Sequence, residues 1–153
     1  MLSKLSTLIL LSAAVAAVPA RTVEQTIPWT WDVSQFTSTC TAATCRYDFN
    51  VSGAIGPDGQ PSFNAYGCIG TSAHGEYKGC STVGLDVLGN VLAQEFNSGR
   101  DIGAIISVQY TFLQDGLVYA YTGNNTVAHT NGGEPFGFTI VPTKASVVIP
   151  DKA

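Results

Sequence analysis

From residue 29 onward, apolar side chains recur at every second position, and this period limits the possible folds more than any other feature. A period of two sends successive side chains to opposite faces of an extended chain, so one face can be buried and the other wet. Trp29, Trp31 and Val33 alternate with Thr30, Asp32 and Ser34. Tyr47, Phe49 and Val51 alternate with Arg46, Asp48, Asn50 and Ser52. Both stretches predict strands that hold Asp32 and Asp48 toward water. Phe63, Ala65 and Gly67 carry the pattern into Cys68. Residues 77–87 predict a strand with a glycine-containing break, and residues 136–141 and 145–149 predict two final strands with Pro142 between them. Residues 85–96 are ambiguous: apolar residues at 88, 91, 92 and 96 approach helical spacing, but Gly89-Asn90 favours a turn between two strands.

The sharpest local signal is Asp115-Gly116, flanked by residues 107–113 and 117–122. An Asp-Gly pair between alternating segments predicts a two-residue hairpin turn. Gln114 then pairs with Leu117, Phe112 faces Tyr119, and Tyr110 faces Tyr121. A slip of one residue would send these rings to opposite faces. Many short strands with glycine-rich turns, and no internal repeat, predict an all-β fold: a compact antiparallel β-barrel or sandwich.

The N-terminus sets the compartment. Lys4 precedes an apolar run over residues 5–18, then Pro19 and Ala20. That is the form of a secretory signal peptide, too short to span a bilayer. Cleavage is expected after Ala20, with Ala16 as the alternative. Residues 21–153 then form a single secreted domain, with no glycolipid-anchor tail and no membrane insertion. Lys4 leaves with the signal, so six of the seven basic residues remain against eleven acidic ones. The basic residues are scattered, which argues against nucleic acid as a partner.

In a small secreted chain the four cysteines, Cys40, Cys45, Cys68 and Cys80, predict two disulfides. Of the three possible pairings the local one is expected, Cys40–Cys45 with Cys68–Cys80. A metal site is not expected, although His74 lies between Cys68 and Cys80, because disulfide formation outcompetes zinc in an oxidising medium. Asn50-Val51-Ser52 and Asn124-Asn125-Thr126 are glycosylation sequons. Asn50 is expected on an exposed strand face and Asn124 in a turn just past a strand end.

Catalytic residues are not evident. His74 and His129 are the only imidazoles, both in loops rich in Gly, Ser and Thr, and both are expected to be exposed. No G-x-S-x-G occurs and no cysteine is left over as a nucleophile. Glu76, Glu95 and Glu134 read as isolated carboxylates rather than a glycosidase pair. Asp58 and Asp115 are accounted for by turns. The rings of Trp29, Trp31, Tyr47, Phe49, Tyr110, Phe112, Tyr119 and Tyr121 are expected to fill the core, with an aromatic ligand cavity as the alternative. No cofactor is implied.

Several short motifs resemble a known family. Trp31-x-Val33-x-x-Phe36 opens the first strand, and Cys45-x-Tyr47-x-Phe49-x-Val51 follows. Residues 63–68, Tyr77-x-x-Cys80 and the run Phe138-Thr139-Ile140-Val141-Pro142-Thr143 complete the set. Together they resemble the secreted fungal β-barrel family of the Alternaria major allergen and the hypersensitive-response elicitors. The resemblance covers nearly the whole mature chain. It implies a non-catalytic effector or elicitor of the plant apoplast. Such a protein is bound by host extracellular proteins, among them surface receptors and thaumatin-like defence proteins. No cysteine follows Cys80, so the family's second bridge near the C-terminus has no counterpart here. If Cys40 pairs with Cys45, no covalent dimer is expected. Loops 70–79 and 123–134 are the expected binding face. A small-molecule carrier of flavonoid-like ligands is the alternative function, and a small glycoside hydrolase a third.

Overall fold

The computed structural model describes residues 29–73, 75–85, 87–97 and 101–148. The predicted signal peptide, residues 1–20, lies outside the described residues, as do His74 and Ile149. The described chain is all-β: β1 (Trp31–Cys40), β2 (Cys45–Gly53), β3 (Phe63–Thr71), β4 (Lys78–Gly79), β5 (Ser81–Val83), β6 (Gly89–Asn97), β7 (Ala104–Gln114), β8 (Leu117–Val127) and β9 (Phe136–Val148).

These strands form one antiparallel sheet in the order β4-β6-β7-β8-β9-β1-β2-β3-β5. Its two edge strands are neighbours in sequence. β4 pairs with β6, β5 pairs with β3, and Cys80 between them donates its N–H to the Val91 carbonyl at 2.9 Å. One extended stretch, residues 78–83, therefore hydrogen-bonds to both edges and nearly closes a barrel. Closure removes the exposed edges that would otherwise template aggregation. The Cys68–Cys80 disulfide fastens this seam to β3, and Cys40–Cys45 joins the ends of β1 and β2. Both are the predicted local pairings.

The alternation sorts as expected. Trp29, Trp31, Tyr47, Phe49, Tyr110, Phe112 and Tyr121 are buried, while Asp32 and Asp48 are exposed. The hairpin register is the predicted one, with Gln114 opposite Leu117, Phe112 opposite Tyr119 and Tyr110 opposite Tyr121. Asp115 and Gly116 both have positive φ, 51° and 76°, as a type I′ turn requires. Edge-to-face, tilted and stacked rings fill the interior, among them tilted Phe63–Tyr110 at 4.3 Å and edge-to-face Trp29–Tyr121 at 5.3 Å. Tyr119 is only half-buried, at one mouth of the barrel.

Five details depart from the expected strands, and bulges explain three. In β1 the register shifts between Ser34 and Thr37 against β2, and between Val33 and Phe36 against β9. Gln35, with φ 55°, is the extra residue that lets Val33 and Phe36 both face inward. In β3 residues 66 and 67 lie between the pairs made by Ala65 and Cys68, opposite Asn50. Gly67 is therefore exposed and Cys68, not Gly67, continues the buried face. Pro142 does not end one strand and precede another: β9 is continuous, and its register slips by one residue where Thr122 and Gly123 meet Lys144 and Pro142. A bulge is where a residue without an N–H fits in a sheet. Finally, Gly89-Asn90 is the start of β6 rather than a turn, and residues 77–87 split into β4 and β5.

Candidate functional site

The Gln35 bulge decides what lies at one end of the barrel. It shifts the inward parity of β1 to Phe36 and Ser38, so the Ser38 side chain is buried with the core. On β6, Glu95 shares a face with Val91 and Ala93 and is 1% exposed. His129, in the loop after β8, brings its imidazole to the same place, with its side chain 1% exposed. This corrects the expectation of an exposed loop histidine. His129 Nδ1 lies 2.7 Å from Ser38 Oγ and 3.8 Å from Glu95 Oε1. Its Nε2 faces Cys45 Sγ at 3.8 Å. Among the described residues neither Glu95 oxygen has a hydrogen-bond partner. Burial pushes the Glu95 carboxyl up to about 7. Burial first, and the nearby Glu95 charge second, push the Tyr47 phenol up to about 12. The Tyr47 hydroxyl donates to the Ala93 carbonyl at 3.1 Å.

Ser38, His129 and Glu95 are the residue types of a hydrolytic triad, but they are not arranged as one. A proton relay needs the hydroxyl on one ring nitrogen and the carboxylate on the other. Here both face Nδ1, and the hydroxyl is walled off from solvent.

The loops around this cluster are stitched down. Thr130 Oγ1 donates to the Ser38 carbonyl and accepts from the Ser38 N–H, both at 2.9 Å. The Asn131 N–H also donates to Ser38 O, and Asn131 Oδ1 accepts from the Cys40 N–H at 3.1 Å. From the other side, Ser72 exchanges bonds with Cys45: its N–H donates to Cys45 O and its Oγ accepts from the Cys45 N–H, both at 2.9 Å. Farther along that loop the Tyr77 hydroxyl meets Ser107 Oγ at 2.8 Å, and Gln94 Nε2 donates to Gly75 O. The two loops predicted as the binding face thus meet at the β1–β2 hairpin tip, around Cys40–Cys45. The second is shorter than predicted, because residues 123–127 belong to β8. Exposed residues of the hairpin tip and the two loops include Thr41, Ala42, Ala43, Ala73, Asn131 and Glu134.

The remaining predicted residues lie apart. Glu76 and Glu134 are exposed, and Glu76 stands 3.7 Å from Lys78. They do not join Glu95 in the interior. Asn50 is half-buried, and its Oδ1 accepts the Gly67 N–H at 3.1 Å, capping the β3 bulge. Asn124 is exposed, but it sits within β8 rather than in a turn. At the opposite mouth a cavity of about 250 Å³ is lined by Asp58, Gln60, Gln114, Asp115, Tyr119 and Tyr121, with Phe112 behind. Among the described residues no helix is long and apolar enough to cross a membrane.

The fold and this loop-built end define the class: a nearly closed antiparallel β-barrel, stapled twice, with two loops hydrogen-bonded to one hairpin tip. No protein-family model, curated protein or solved structure matches the chain.

Proposed function

We propose that this protein is a secreted, non-catalytic effector that acts by binding host extracellular proteins through the end built from the β1–β2 hairpin tip, residues 72, 73 and 75–77, and loop 128–135. The observation that carries this reading is the convergence of two loops on the Cys40–Cys45 hairpin, where side chain–backbone bonds hold them in one shape. A preorganised surface loses little conformational freedom on binding. Two disulfides suit an oxidising medium, in keeping with secretion to the apoplast. The motif resemblance to fungal allergen-like and elicitor barrels supports the same reading and points to receptors or thaumatin-like defence proteins as partners. The acidic balance of the chain favours a basic partner, with association that slows as salt is raised.

The test is a pull-down from plant apoplastic fluid with the oxidised mature protein, with reduced and alkylated protein as control. A partner is expected that binds only the oxidised form and is lost in Ala42→Arg or Asn131→Arg. Capture that is insensitive to both substitutions refutes this face.

The cavity at the opposite mouth favours a second reading, a carrier of small aromatic ligands. Trp29 lies against Tyr121 at that mouth, so saturable quenching of tryptophan fluorescence by a flavonoid, near one per chain, reports it.

A further inference from the structure

The polar cluster holds an arrangement that the oxidised protein does not use. We propose that reduction of the Cys40–Cys45 disulfide converts this end of the barrel into a zinc site of two thiolates and the His129 imidazole.

The sulfurs of Cys40 and Cys45 and a ring nitrogen of His129 all lie within 4.8 Å of one another. Tetrahedral zinc, with Zn–S near 2.3 Å and Zn–N near 2.05 Å, needs S···N edges of about 3.6 Å and an S···S edge of about 3.8 Å. His129 Nε2 already stands 3.8 Å from Cys45 Sγ. The sulfur–sulfur separation has to widen from the bonded 2.02 Å, and breaking the disulfide frees the Cys40 side chain to rotate into place.

The other side of the ring is equipped for the same role. A metal-bound histidine ordinarily donates its second N–H to a carboxylate, carbonyl or hydroxyl, which fixes the tautomer and the ring plane. Here Nδ1 faces Ser38 Oγ at 2.7 Å and Glu95 Oε1 at 3.8 Å, so the tautomer protonated at Nδ1 turns its Nε2 lone pair toward the cysteines. Thr130 and Asn131, bonded to β1, hold the His129 loop in place. Three protein ligands leave a fourth position for water, and Cys40 is half-buried where Cys45 is buried. Two thiolates and an imidazole form a donor set that zinc favours.

The chemistry balances with a low-molecular-weight thiol as reductant. Two thiol molecules reduce the protein disulfide to two cysteine thiols and leave as one disulfide. Zinc binding then displaces the two thiol protons. Disulfide and metal exclude each other because they use the same sulfurs, so the site reports the redox state of the surroundings.

Cobalt(II), which occupies tetrahedral zinc sites with visible absorption, is the probe. Anaerobic titrations are run on oxidised wild type, fully reduced wild type, and reduced Cys68→Ser/Cys80→Ser, with circular dichroism to follow the sheet. The expected result is one cobalt per chain in the reduced forms, with a thiolate-to-cobalt charge-transfer band and tetrahedral visible bands. Zinc displaces the cobalt, and oxidised protein shows neither band. His129→Ala is expected to weaken binding at least tenfold and to shift the visible bands. The proposal is overturned if no reduced form takes up cobalt. It is equally overturned if Cys40→Ser/Cys45→Ser keeps the bands, which would place them at Cys68 and Cys80, or if His129→Ala leaves spectrum and affinity unchanged.

Discussion

Replacing Glu95 by glutamine should change how stability depends on pH, in a direction the buried cluster dictates. The Glu95 carboxyl is raised from 4.5 to about 7 because burial penalises its charged form. Folded protein therefore keeps a proton that the unfolded chain releases between these values. Below 4.5 both states hold the proton and the site costs nothing. As pH rises from 4.5 to about 7 stability falls, and above 7 the full cost persists. At about 1.4 kcal/mol per pH unit, the cost amounts to about 3 kcal/mol. Glutamine keeps the shape and cannot ionise. The stability of Glu95→Gln relative to wild type should thus rise by about 3 kcal/mol between pH 4.5 and pH 8, about 10 °C in Tm for a domain of this size. Tyr47 and His129 face the carboxyl. Repeating the comparison in a His129→Gln background tests the carboxyl without its imidazole neighbour. The assay is urea denaturation at half-unit pH steps. Curves for wild type and Glu95→Gln that stay parallel within about 0.5 kcal/mol, in both backgrounds, would refute the assignment of a buried, proton-holding carboxyl.

Four further outcomes are expected. Cys68→Ala/Cys80→Ala releases the seam and should cost about 2–3 kcal/mol by urea denaturation, the value for a loop of this length. Phe112→Ala empties the core beside Tyr110, Tyr119 and Tyr121 and should cost about 3–5 kcal/mol. Gly89→Ala should be markedly worse than Gly116→Ala in thermal melts: a Cβ at 89 would stand 2.4 Å from the Thr111 carbonyl oxygen, whereas at 116 it meets nothing within 4 Å and costs about 1 kcal/mol through its positive φ. Enzymatic deglycosylation of protein secreted from a eukaryotic host should shift its mass, and Asn124→Gln should remove some of that shift, since Asn124 is exposed on the barrel wall.

The sequence displays its structure where the determining forces are local. The Asp115-Gly116 turn needs two positive φ angles, and those residues tolerate them, so the register of β7 on β8 followed from two letters. The disulfides joined cysteines five and twelve residues apart. Bulges escaped because one extra residue flips every later side chain, and alternation alone does not show which residue is extra. Gln35 and residues 66–67 are the cases in point. Phe36, one position past where strict alternation from Val33 would run, was the one available hint. The His129 cluster escaped for another reason. Ser38 and His129 are 91 residues apart, and no local pattern distinguishes a loop histidine that turns inward from one that faces water.

By itself, then, the sequence determined an antiparallel β fold, its aromatic interior, its tightest hairpin and its cross-links, because period, turn chemistry and short loops act over a few residues. Tertiary structure alone decided how the sheet closes. The stretch 78–83 must satisfy two strand edges at once, and which edges these are depends on the whole sheet. It also decided that a serine, a histidine and a glutamate from three distant segments share one buried space, since only the packed barrel brings those segments together and removes the water between them.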